Sequence, residues 1–252
     1  MNSTIEGLIV FACLFGAGLL GVCIRAALPE HHLTTETKDA VRIGMGLVAT
    51  MAALVLGLLV ASTKGAYDTQ KGEVSQMAAK IVFLDRVLAN YGSESAKTRE
   101  LLRGSVGSAI SRMWPDKKSS QTAQLDPSVS SGEAFFNSIQ NLSPQNDVQR
   151  SLKSQAVQIA TDLGQMRWLL FEQTETSISL PMLIILISWL AIIFMSAVLF
   201  APPNATVIVA VMLAALSVAG AIFLILELDM PFDGVIQISP VPMRNALIHL
   251  GH

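Results

Sequence analysis

The chain has 252 residues, 52% of them hydrophobic and only 14% charged, against about 25% charged in an average soluble domain. Its formal net charge of −2 argues against a nucleic-acid binder. The missing charges are concentrated in a few long apolar stretches, which excludes an ordinary soluble domain and points to a membrane protein.

The first apolar stretch, Gly7 to Ile24, lies between Glu6 and Arg25. It is rich in small residues: Ala12, Gly16, Ala17 and Gly21. No base precedes it and no small-x-small cleavage site follows it, so it reads as a retained helix and not a signal peptide. Cys13 and Cys23 both lie in it. Ten residues of helix rise about 15 Å, too far for a disulfide between them, and they read as small packing residues. Pro29 ends the segment. Glu30, His31 and His32 follow on a loop, where adjacent side chains make a poor metal site by pattern. Thr34 to Asp39 offers hydroxyls to cap the next helix.

The second stretch, Ile43 to Thr63, carries two patterns. Ala49, Ala53, Gly57 and Ala61 recur every four residues and form a ribbon suited to close helix packing in lipid. Beside it runs a second stripe, Thr50, Leu54 and Leu58. One face is expected to pack on a neighbouring helix and the other to meet a neighbouring subunit, lipid or a cavity.

A polar insert follows, expected over residues 64–178. Val74, Met77, Ile81, Leu84, Leu88 and Tyr91 alternate spacings of three and four, as in a coiled-coil seam. The second segment is expected to run on into this helix. Leu102, Val106, Ala109 and Met113 repeat the theme up to Trp114-Pro115. Residues 116–131 read as a polar loop. Pro144 suits the first turn of a last long helix, whose seam is Val148, Leu152, Ile159, Leu163, Met166 and Leu170. No strand pattern is present.

From Thr176 to Leu226 the chain runs 51 residues without Asp, Glu, Lys or Arg. That suffices for two crossings of about 20 residues each. They are expected over 179–228 as an antiparallel hairpin turned by Ala201-Pro202-Pro203-Asn204. Trp189 falls mid-segment, away from the interfacial position usual for Trp, and reads as packing. Glu227, Asp229 and Asp233 then place three acids in a row of seven residues, a candidate cation or partner site. The tail 229–252, broken by Pro240 and Pro242, cannot be one long helix.

The expected fold is therefore all-α. It is a polytopic membrane protein with transmembrane helices one and two in residues 1–63, a helical-bundle insert, a transmembrane hairpin and a tail. Four crossings put both termini and the insert on one side. Lys38 and Arg42 with Arg25 favour the first loop inside, while Lys64, Lys71 and Arg167 flank the insert and pull the other way.

Catalytic patterns are absent: no H-E-x-x-H, C-x-x-C or G-x-S-x-G occurs. Gly92 to Thr98 lacks the Gly before Lys97 that a phosphate loop needs. No Asp, Glu, Lys or Arg lies within the four segments, which weighs against a proton-coupled transporter. No enzyme, cofactor or metal is expected.

Four stretches in order resemble the bacterial bestrophin-like family: Arg25-Ala26-Ala27-Leu28-Pro29-Glu30-His31-His32-Leu33; Leu54 to Ser62 followed by Tyr67-Asp68; Leu199 to Thr206; and Glu227 to Gly234. The family is named for its similarity to bestrophins, which are pentameric ion channels with four crossings per subunit and a helical cytosolic region. In these the second crossing lines the pore and narrows at a hydrophobic neck, with residues four apart around a V-L-G motif. Carried onto this chain, the resemblance makes Thr50, Leu54 and Leu58 pore-lining, the same stripe that periodicity picks out. Here Thr takes the outermost neck position, and Leu replaces the aromatic residues typical of the neck. The chain has Pro231-Phe232-Asp233-Gly234 but not the acidic run that follows it in animal bestrophins, so calcium gating is not implied. The resemblance implies a homo-oligomer in the bacterial inner (plasma) membrane, with lipid and permeant inorganic ions as partners and the insert and both termini cytosolic. The alternative is a non-conducting membrane scaffold or signalling protein whose insert presents its seams to a partner.

Overall fold

The computed structural model describes residues 3–29, 34–115, 131–175, 180–202 and 204–251. Glu30, His31, His32 and residues 116–130 of the expected polar loop lie outside these residues, while Ser131, expected in that loop, opens a helix. The described residues form eight α-helices and no strand: α1 (Ser3–Ala27), α2 (Thr35–Tyr91), α3 (Ala96–Met113), α4 (Ser131–Gln140), α5 (Asp147–Glu175), α6 (Leu180–Leu199), α7 (Ala205–Leu228) and α8 (Val241–His249). The protein is all-α, as its apolar periodicities require. Among these helices α1, α2, α6 and α7 are long and apolar enough to cross a membrane.

The chain divides into two compact units, residues 1–66 with 177–229 and residues 67–176 with 230–252. Helix α2 contributes to both. It runs 57 residues without a break, because neither Gly65 nor Gly72 stops it. Thr34 caps its start, its Oγ1 accepting the Thr37 N–H at 3.3 Å. It ends at Gly92, whose φ of 123° lies in the left-handed region that glycine alone enters without strain.

In the first unit α1 packs along α6 and α7. The contact is close because of glycine. A Cβ on Gly21 would stand 2.5 Å from the Met195 carbonyl oxygen, and one on Gly18 would stand 2.8 Å from Val211 Cγ1. Small side chains at such crossings let helix backbones approach in lipid. Val10, Leu14, Phe194, Ala215, Ala219, Ile222 and Leu226 form the buried centre. Arg25 closes one end. Its Nη1 donates to the carbonyls of Leu199 at 3.2 Å and Ala201 at 2.7 Å, satisfying acceptors that the end of α6 leaves open. Asn204 caps α7, its Oδ1 accepting the Val207 N–H at 2.9 Å.

In the second unit the seam of α2 is buried: Val74, Met77, Ile81, Leu84, Leu88 and Tyr91. It shares one core with Leu102, Val106 and Met113 of α3, Ile139 of α4, and Ile159 and Leu170 of α5. Ala109, Leu152, Leu163 and Met166 pack partly buried around it, while Val148 is exposed. The residues after the last crossing complete this core through Phe232, Ile238, Met243, Ala246 and Leu250. Trp114 Nε1 donates to the Ile238 carbonyl at 2.8 Å, and its ring meets Phe232 edge-on with centroids 5.7 Å apart.

One local expectation needs correcting. Pro144 does not sit in the first turn of α5, which starts at Asp147. The start is set by Asn146, whose Oδ1 accepts the Gln149 N–H at 2.8 Å. A side-chain acceptor at the cap fixes the helix start more directly than a proline two residues upstream.

Candidate functional site

The membrane part of α2 has one face packed within the chain and two open ones. On the packed face Ala52 and Leu59 are buried against Leu186 of α6 and Ile225 of α7, with Val55, Leu56 and Trp189 partly buried around them. Trp189 is thus a packing residue of this cluster. Thr63 continues the buried face, and its hydroxyl donates to the Leu59 carbonyl at 2.9 Å.

The second face is the stripe of Thr50, Leu54 and Leu58. At about 100° per residue, Thr50 and Leu54 lie about 160° round the helix from Ala52, and Leu58 about 120°. All three are exposed, Leu54 at 70% and Leu58 at 64%. Ile43 and Leu47 extend the stripe upstream and are equally exposed, at 71% and 68%. The sequence reading missed these two. Their signal was the spacing 43, 47, 50, 54, which continues the period of the stripe.

The third face is the ribbon of small residues. Ala49 is half-buried, while Ala53, Gly57 and Ala61 are exposed. A Cβ placed on Gly57 would meet nothing within 4 Å. The intramolecular contact of α2 therefore runs along Ala52 and Leu59, and from Ala53 on the ribbon turns away from it, reaching the side opposite Ala52 at Ala61. Only 11% of the most apolar stretch of α2 is buried, against 28% for α1 and 22% each for α6 and α7. Of the four membrane helices, α2 has the smallest share of its apolar stretch buried.

The three acids after the last crossing sit in different surroundings. Glu227 is buried at 2% exposure, in the last turn of α7, and is not a solvated helix end. Asp229 and Asp233 are half-buried. The Asp229 N–H donates to the Ile225 carbonyl at 3.2 Å, closing α7. Among the described residues no three of His, Cys, Asp and Glu stand together as a metal-holding group.

The second unit holds a buried ion pair that the sequence reading also missed. Arg99 Nε and Nη2 donate to Asp85 Oδ1 and Oδ2 at 2.7 and 2.8 Å. The Gly251 N–H donates to Asp85 Oδ2 at 3.3 Å. The Asp85 side chain is 1% exposed. Burial alone would raise its carboxyl, but the Arg99 guanidinium and the Gly251 N–H outweigh that and hold it below the usual carboxylate range. The signal in the sequence was a lone acid beside Leu84 on an otherwise apolar seam. Its partner could not be read from spacing.

A family model described as the Bestrophin-like domain matches residues 12–243, which is nearly the whole chain. The chain belongs to the Bestrophin-like family. No characterised protein and no solved structure matches it. Family membership agrees with four membrane helices and with the resemblance carried by the four sequence stretches above.

Proposed function

We propose that this membrane protein forms an oligomeric, channel-like pore, with the outward face of α2 lining a central path. One observation carries the reading. Ile43, Leu47, Thr50, Leu54 and Leu58 form a continuous exposed stripe on the side of α2 away from its own protomer. Copies arranged about an axis would turn these stripes inward. The open ribbon of Ala53, Gly57 and Ala61 beside the stripe would let adjacent α2 helices approach closely. Rings of Leu54 and Leu58 would make a hydrophobic constriction that gates by dewetting. Five copies is the number that the family resemblance implies, with the insert and both termini in the cytosol of a bacterial cell.

The competing scaffold reading needed the seams of the insert to be offered to a partner. Those seams are largely spent inside the second unit, where Leu84, Leu88 and Leu170 are buried, so they give that reading no support. The test is reconstitution of the purified protein in a planar bilayer. Leu54→Ala and Leu58→Ala widen the constriction and should raise conductance over the wild type. If neither the wild type nor these variants pass any ion, the pore reading fails.

A further inference from the structure

We infer that the lining formed by α2 favours cations over anions, with Thr50 as the residue that sets the preference; this rests on the pore reading above. Thr50 is exposed on the outward stripe, one turn before Leu54. Its hydroxyl donates to the Gly46 carbonyl of its own helix at 2.9 Å. A hydroxyl has one proton to give and two lone pairs to share. With the proton committed to the helix, what Thr50 offers outward is acceptor capacity alone.

A ring of such oxygens can replace part of the water around a cation, as carbonyl rings do in selective filters. An anion needs donors instead. Leu47, Leu54 and Leu58 supply none, and the backbone N–H groups along this stretch are taken up by the helix. To serve an anion, Thr50 would have to release Gly46.

The charges on this part of α2 point the same way. Between residues 35 and 66 the charged side chains are Glu36, Lys38, Asp39, Arg42 and Lys64. At about 100° per residue, Glu36 falls about 20° and Asp39 about 40° from the direction opposite Ala52. Lys64, Arg42 and Lys38 fall about 60°, 100° and 140° away from it. The acids thus lie nearer the outward direction than any base. The helix start carries a partial charge of roughly +0.5 that would attract anions. Glu36, in the first turn and exposed, carries a full negative charge that outweighs it.

The experiment is a reversal-potential measurement on the reconstituted full chain under a KCl gradient. Wild type should reverse near the potassium equilibrium potential. Thr50→Val keeps the shape, removes the hydroxyl and should lower the potassium-to-chloride permeability ratio several-fold. Thr50→Ser should restore it, and Glu36→Gln should reduce potassium current at low salt more than at high salt. Current that reverses near the chloride potential overturns this inference and leaves the pore reading standing. A Thr50→Val channel of wild-type selectivity also overturns it. Absence of current in every variant removes the pore reading and this inference with it.

Discussion

The two halves of α2 are one unbroken helix with similar apolar spacing, yet they are treated in opposite ways. In the insert half, Val74, Ile81, Leu84 and Leu88 are sealed into a core shared with α3, α4 and α5. In the membrane half, Ile43, Leu47, Leu54 and Leu58 are exposed, and only a narrow face around Ala52 and Leu59 is packed. In water, an exposed stripe of that kind would be a large cost at about 25 cal/mol per Å². In a bilayer it costs nothing against lipid, so it stays available for a neighbouring copy. Exposure inside a membrane thus says less about stability and more about assembly than exposure in water does.

Substitutions at matched positions sharpen this contrast. The largest effect is expected at Asp85. Asp85→Ala leaves Arg99 without its buried partner and should destabilise the second unit by about 3–5 kcal/mol, read by denaturant unfolding in detergent. Because the folded carboxyl lies below its usual range, the stability it contributes is complete above the unfolded pKa of about 3.9. That contribution is lost as pH falls through the lower folded value. Asp85→Asn should flatten this acid limb; an unchanged profile would show that the pair does not govern it.

Next comes the direct pairing of the two halves. Leu84→Ala should cost about 2–5 kcal/mol, since Leu84 is fully buried. Leu54→Ala should leave protomer unfolding nearly unchanged and act on conductance instead. Equal destabilisation by the two would erase the distinction drawn between the halves of α2. A smaller effect is expected from Trp114→Phe, which leaves the buried Ile238 carbonyl without its indole donor and should cost about 1–3 kcal/mol. The smallest is Asn204→Ala, which removes the cap of α7 and should cost about 0.5–2 kcal/mol, visible as a modest drop in Tm.

Local periodicity and hydropathy made much of this legible. The four crossings, the run of α2 into the insert, the hairpin of α6 and α7 and the seam from Val74 to Tyr91 all follow from residues near one another in sequence. Three things did not. The choice of Ala52 and Leu59 as the packed face depends on where α6 and α7 lie, more than 100 residues on. The Asp85–Arg99 pair depends on the turn at Gly92 folding α3 back along α2. The docking of Phe232, Ile238 and Leu250 depends on a tail whose prolines announce only that it bends. The residues proposed for the pore were visible as a stripe, but only the structure distinguishes that stripe from the face α2 uses on its own protomer.

The reach of Arg25 across the first unit has a consequence for biosynthesis. Its acceptors on Leu199 and Ala201 come 174 and 176 residues later in the chain. At about 5–20 residues per second, translation takes roughly 10–35 s to supply them. Through that interval α1 and α2 lack the helices they pack against, and the Arg25 guanidinium lacks its two carbonyl acceptors. A nascent chain halted before the hairpin would therefore leave a two-helix remnant with the notches at Gly18 and Gly21 empty.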